Sequence, residues 1–466
     1  MKKTFLLSCL MLAAMPVMAA YTGHVYVDKN KNGVFDQSEK PLAGIKVSDG
    51  LNVVETAADG SFTLPGHERE RFIFITTPSG YKTFNRHYHK IEKKQSGYDF
   101  GLIPYSGRIR KDGSHRYIHI TDTEIFNTEN HADWVNNVRD YARNEQAAFI
   151  IHTGDICYEK GLKAHIKLMN TENMDCPVFY CIGNHDLVKG KYGEELFESI
   201  YGPVYYSFDA GNVHYVVTPM PGGDHAPGYT SDDVCRWLKN DLAHIRPGTP
   251  VVVFNHDLLT YEDTFIFKSK NAGSINLNEY NLKAWVYGHW HINYMKKQGD
   301  VYSVCTSSLD KGGIDHSTTA FRVMHVDSKG DFTSELRYTY LDKNICIASP
   351  AGVMASGVLP VAVNVYSSVS PVREVLYTCL ADGKPVLKNK RLLQSTDWSW
   401  NGELPLSHKY VGKELTLRVT ARFNNGEIAE AESNFICRTE KAVPLFSADW
   451  DNLSGNAKHS APVSAP

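Results

Sequence analysis

The sequence predicts an α/β core flanked by two all-β modules, and three observations carry that expectation. Between about 106 and 342, short apolar runs alternate with amphipathic helical patterns. On either side, short β-type runs are separated by Gly, Asp, Asn and Pro turns. Within the core, five apolar runs end in turns rich in Asp, Asn and His. A chain of 466 residues suits two or three domains, and 42% hydrophobic with 22% charged residues is ordinary globular composition. The formal charge of -3 gives no nucleic-acid-binding or polybasic membrane signature.

Residues 1–20 read as an export signal. Lys2 and Lys3 form a basic start, Thr4 to Met15 an apolar stretch, and Val17-Met18-Ala19 the small residues at a cleavage position. Removing the two lysines takes the charge from -3 to -5. Leu6-Leu7-Ser8-Cys9 has the look of a lipoprotein box, but cleavage there would leave almost no apolar region. No later run approaches the roughly 18 apolar residues of a membrane-spanning helix. The expected location is therefore the periplasm or the cell exterior, with no membrane anchor.

Residues 21–103 are expected to form an amino-terminal β-sandwich. His24-Val-Tyr-Val27, Gly44-Ile-Lys-Val47 and Phe72-Ile-Phe-Ile75 are strand-like, with turns at Asp49-Gly50, Asp59-Gly60 and Pro78-Ser-Gly80. Inside this module, Asp28-Lys-Asn30-Lys-Asn32-Gly33-Val-Phe-Asp36-Gln-Ser-Glu39 fits a twelve-residue calcium loop at positions 1, 3, 5, 6, 9 and 12. A structural calcium is expected in this 28–39 loop.

In the core, the strands Arg116–Thr121, Ala148–Ile151, Val178–Ile182, Val251–Phe254, Lys283–Tyr287 and Tyr302–Cys305 are expected. One intervening helix carries Trp134, Val135, Val138, Tyr141 and Ala142 on a face. A second carries Leu162, Ile166 and Met169, and a third, capped at Ser231, carries Val234, Trp237, Leu238 and Leu242. Residues 343–446 return to β composition, as in Val361–Tyr366 and Leu415–Val419, and read as a carboxy-terminal β-sandwich. The segment 447–466 is polar in composition and is expected to be a flexible tail. Export permits disulfides, and of the eight cysteines beyond the leader Cys379 and Cys437 are the best pair.

Set side by side, the strand ends read Asp122-Thr-Glu124, Gly154-Asp155, Gly183-Asn184-His185-Asp186, Asn255-His256 and Gly288-His289-Trp290-His291. Ligands of open α/β sheets bind at the carboxyl ends of the strands, so these turns converge. Carboxylate, amide and imidazole donors together suit Zn, Mn or Fe better than Ca. There are enough of them for two ions sharing one carboxylate, the arrangement that clamps a displacement at phosphorus. An exported protein meets no ATP, so hydrolysis fits better than transfer.

In order and topology these motifs, GD, GNHD, Val253-Phe-Asn-His256 and GHxH, resemble the calcineurin-like metallophosphoesterase superfamily. The two flanking β modules resemble those of an exported bacterial branch. That resemblance implies a four-layer α/β/β/α sandwich and hydrolysis of phosphate mono- or diesters. It implies Asp155 bridging two transition-metal ions, Asp122 and His291 completing one site, and Asn184, His256 and His289 the other. A hydroxide bridging the metals would be the nucleophile and His185 the general acid for the leaving oxygen. Asp186 would cap the following turn or orient His185. The family's first motif is usually Asp-x-His, whereas this chain has Asp122-Thr-Glu124. Glu124 is the expected ligand there. Tyr158 is the alternative, an arrangement that resembles purple acid phosphatases.

His225 and His316, in Gly-rich loops, are candidate pocket residues. Substrates consistent with this site are small phosphate esters, glycerophosphate polymers or lipid head groups. The alternative function is a catalytically degenerate surface- or glycan-binding protein on the same scaffold.

Overall fold

The computed structural model describes residues 20–340 and 343–439. The tail 447–466 and all but the last residue of the expected leader lie outside the described residues. No helix among the described residues is long and apolar enough to cross a membrane.

The core is built from two sheets facing one another. The first has five strands, with Val178–Tyr180, Phe149–His152 and His115–Ile120 parallel and Ala320–Val326 antiparallel beside them. The second has six, and Val213–Val217, Val251–Phe254, Leu282–Tyr287 and Val301–Cys305 run parallel at its centre. Alternation along each strand decides which layer a side chain joins. Tyr117 and Phe149 stack at 4.7 Å and meet Tyr215 and Phe254 of the other sheet edge-on, closing the inter-sheet core. Their neighbours Ile118, Ile120 and Ile150 point the opposite way, into a cluster with Trp134, Val138 and Tyr141 of the helix Ala132–Asn144.

The apolar positions of that helix recur at helical spacing because one face must cover the sheet. The helix Ser231–Ala243 is capped one residue earlier than expected. Thr230, not Ser231, accepts the Asp233 N–H, because Thr230 has the extended backbone a cap requires. The strand after Phe149–His152 is also shorter than its apolar run, since the chain turns off at Cys181 to reach the site.

The amino-terminal module consists of a five-stranded and a four-stranded sheet around Val25, Val47, Phe62, Ile73, Ile75 and Phe100. It belongs to the same compact unit as the core, which spans described residues up to 142 and 146–337. Its strand Phe72–Ile75 runs on so that the Thr77 carbonyl accepts the Asp209 N–H at the edge of the six-stranded sheet. Arg71, just before that strand, ion-pairs with the buried carboxylates of Glu194 and Glu198 at 2.7 and 2.9 Å.

A second unit, described over 143–145, 338–340 and 343–439, is a sandwich of four- and five-stranded sheets. Leu417, Val419, Trp400 and Phe435 lie in its core. Cys379 and Cys437 are free thiols there, contrary to the pairing expected. Their strands are not neighbours: Glu414–Phe423 lies between them and pairs with both.

Candidate metal centre

Each site residue sits where the chain leaves a strand. Asp122 follows His115–Ile120, Asp155 follows Phe149–His152, His256 follows Val251–Phe254, and His289 and His291 follow Leu282–Tyr287. Asn184–Asp186 form a single 3₁₀ turn after Val178–Tyr180. The backbone bends hard at these points. Asp122, Glu124, Asp155, Tyr158, His289 and His291 all have φ between 44° and 65°, a left-handed conformation that non-glycine residues avoid. Two glycines of the motifs are explained by crowding. A Cβ on Gly183 would overlap the Asp155 carboxylate, and one on Gly288 would overlap Thr121 Oγ1.

The ligand atoms meet. His256 Nε2 lies 3.1 Å from Asp155 Oδ2 and 4.0 Å from Asp122 Oδ1, and His291 Nε2 lies 3.2 Å from Asp122 Oδ1. Ligand atoms of Asp155, His256 and His289 lie within 4.8 Å of one another. The opposite faces of these groups are tied down. His256 Nδ1 bonds the Thr153 carbonyl at 2.7 Å, while Asp122 Oδ2 accepts from the His289 N–H at 3.0 Å and from Thr121 Oγ1 at 2.6 Å. Such bonds orient ligands toward a common point.

What they leave over is telling. Asp122 Oδ1, Asn184 Oδ1 and His256 Nε2 are buried and make no well-aligned hydrogen bond among the described residues, although Asp122 Oδ1 and His256 Nε2 lie close to His291 and Asp155. Native proteins satisfy buried polar atoms, so Asp122 Oδ1 and His256 Nε2, 4.0 Å apart and both without an aligned hydrogen bond, fit a bound cation. Electrostatics agree. Burial would keep His256 neutral, yet the charges of Asp155 and then Asp122 hold it up at about 10. Burial likewise opposes charge on Asp155, but the His256 imidazole keeps its carboxyl below the usual range. The site favours positive charge where it is least solvated.

Glu124 points its carboxylate into the same region. Oε1 is 3.5 Å from His291 Nε2, and Oε2 pairs with the Lys311 ammonium. Tyr158 turns elsewhere, with its hydroxyl 3.5 Å from His185 Nδ1. Cys157 groups with Glu124 and Asp155, but burial and then the Asp155 charge push its thiol far up, which disfavours a thiolate.

His185 lies at the rim, one third exposed, with its backbone N–H on Asp155 Oδ1 at 3.0 Å. Its Nδ1 bonds Asp224 Oδ2 at 2.8 Å. Burial alone would lower its pKa, but the Asp224 hydrogen bond and the charges of Asp155, Asp224 and Glu124 raise it. Asp186 is a cap and not the partner of this imidazole. It accepts the N–H groups of Gly183 and Cys157, each at 2.9 Å, and burial followed by the Asp155 charge pushes it up to about 7.

Asp224 and Lys311 were missed by sequence reasoning, because each is one charge in a Gly-rich loop far along the chain. The pocket candidate next to Asp224, His225, is exposed, as is His316.

Residues 115–293 match the family described as calcineurin-like phosphoesterase, and 29–104 match its N-terminal domain. Purple acid phosphatase 13 of Arabidopsis thaliana is 26% identical over 215 residues, 43% of this chain. The match spans 36%, about a third, of that relative's length. Among solved structures, an archaeal phosphodiesterase is 12% identical, with 47% of this chain and 99% of that one covered at a TM-score of 0.25. Vacuolar protein sorting 29 of Cryptosporidium parvum is 10% identical, with 63% and 99% covered at 0.26. Neither likeness is strong enough to bear on the chemistry.

Proposed function

The chain belongs to the calcineurin-like phosphoesterases, a family of metal-dependent phosphoesterases, and from that premise we propose that it is an exported hydrolase of phosphate mono- or diesters. Asp155 would bridge two metal ions. Asp122, Glu124 and His291 would hold one ion, and Asn184, His256 and His289 the other. When bound, the metals acidify a water and neutralise the phosphate oxygens. The observation that carries this reading is the buried meeting of His256 Nε2 with Asp155 and Asp122, beside His289 and His291.

The chain's own residues supply the rest. With Nδ1 committed to Asp224, His185 keeps Nε2 for the departing oxygen and donates a proton as the P–O bond breaks. Asp186 holds the turn that presents Asn184 and His185. The leader-like segment 1–20 supports a periplasmic or extracellular location, and calcium in the 28–39 loop is a structural addition to this reading. Substrates are small phosphate esters, glycerophosphate polymers or lipid head groups.

Elemental analysis, with a panel of mono- and diesters assayed in zinc, manganese and iron, tests the proposal. Two metal equivalents and ester hydrolysis are expected. Zero to one equivalent without turnover would favour the degenerate binding protein instead.

A further inference from the structure

We infer that Arg69 and Arg71 of the amino-terminal β module are positioning residues for the general acid, acting through the loop 222–228 that carries Asp224. This inference rests on the reading of His185 as general acid. Asp224 is the only group on this loop that touches His185 through a side-chain bond among the described residues, so the loop's position sets the imidazole's position. The loop is fastened at three points. The Asp224 N–H donates to the Asn184 carbonyl at 3.1 Å, and the Ala226 carbonyl accepts from the Gly193 N–H at 2.8 Å. At Gly228 both backbone groups are held by charged side chains. Its N–H donates to the Glu194 carboxylate at 2.9 and 3.1 Å, and its carbonyl accepts from Arg69 at 2.6 Å.

Glu194 is fully buried, and removing the partner of a buried carboxylate is strongly destabilising. Its partner is Arg71, at 2.7 Å, with the guanidinium lying over the Tyr192 ring at 4.6 Å. Arg69 reaches past Gly228 to Asp233 at 2.9 Å, in the first turn of the helix Ser231–Ala243. A fork of fixed donors holds a backbone more rigidly than one flexible contact would. The line therefore runs from Arg71 through Glu194 to Gly228, then along four residues to Asp224 and His185. Of the Asp122, Asp155 and His256 contacts described above, only the His185 backbone N–H on Asp155 Oδ1 touches this line, and neither arginine takes part in any of them.

That separation makes the proposal testable. Arg71→Ala, Arg69→Ala, Asp224→Asn and His185→Ala are compared for metal content and for kcat/KM on aryl and alkyl phosphates of graded leaving-group pKa. Arg71→Ala and Arg69→Ala should keep wild-type metal content. Each should lose roughly tenfold to a hundredfold on alkyl phosphates, much less on nitrophenyl phosphate, and Arg71→Lys should recover part of the loss. Arg69 is half exposed, so its variant decides the matter if Arg71→Ala does not fold. Folded, metal-loaded arginine variants that lose nothing, or lose rate equally on every leaving group, overturn the proposal, as does loss of metal. If His185→Ala itself shows no leaving-group dependence, the general-acid reading fails first.

Discussion

Asp155 faces two neighbours at once: its Oδ2 meets the His256 imidazole and its Oδ1 accepts the His185 N–H. Asp155→Ala should therefore remove metal and activity together, measured by elemental analysis beside turnover. His185→Ala should leave metal in place and lose roughly 10²–10⁴-fold on poor leaving groups, the usual contribution of a positioned acid. A different buried histidine should make stability depend on pH. His214 lies between Asp209 at 2.7 Å and Asp241 at 2.8 Å, with Lys46 at 3.4 Å. Burial pulls its pKa down, but the Asp241 charge and both carboxylate bonds hold it above its ordinary value. Its stabilisation is complete below about pH 6.5 and fades as pH rises through the higher folded pKa. The Asp241 pKa is opposed by burial but depressed by His214, so its share is lost only in acid. His214→Phe should cost about 3–5 kcal/mol at pH 5.5 in urea titrations, and less at pH 9. His185 was legible in the sequence because GNHD is a local word. Asp224 was not, since a single Asp 39 positions later looks like any turn residue until the loop is folded over it.

The strands of the core were readable because burial on both faces makes them continuous apolar runs, and the helices because one face must cover a sheet. Their ends were less so. The cap at Thr230 and the early end of Val178–Tyr180 depend on backbone angles that composition does not encode. The 28–39 loop is an intermediate case. Asp28 and Glu39 are buried, and each accepts two backbone N–H groups of the loop, Asn32 and Gly33 on Asp28, Lys29 and Asp36 on Glu39. Asp36 Oδ2 holds the Asn30 and Asn32 amides. Calcium should raise the melting temperature of the wild type over that in chelator, and Glu39→Ala should erase the difference. Identical melting curves for the wild type in both conditions would exclude calcium from this loop.

At the scale of the whole molecule, every residue assigned to the metal centre comes from the first compact unit, which also contains the amino-terminal β module. The second unit has its own core. Leu417→Ala there should cost that unit about 2–5 kcal/mol, read from its thermal transition, while kcat stays at the wild-type value. Sequence patterning foresaw a β module on each side of the core. It gave no sign that the first shares a compact unit with the core, because the contacts that join them, such as Arg71 with Glu194 and Glu198, link residues more than 120 positions apart.

The left-handed backbone at Asp122, Glu124, Asp155, His289 and His291 has an evolutionary consequence. Left-handed φ at a non-glycine residue costs of order 1–3 kcal/mol, and glycine or asparagine relieves it. Drift at these positions is therefore biased: the mutation that disarms the site is also the one that relaxes the chain. Lineages released from selection for hydrolysis should accumulate Gly and Asn here first, and become more heat-stable in the metal-free state as they do. Asp122→Asn tests the first step of that path, because asparagine tolerates the left-handed backbone and keeps an oxygen for the His289 N–H. The variant should melt at a higher temperature than the metal-stripped wild type and hydrolyse nothing.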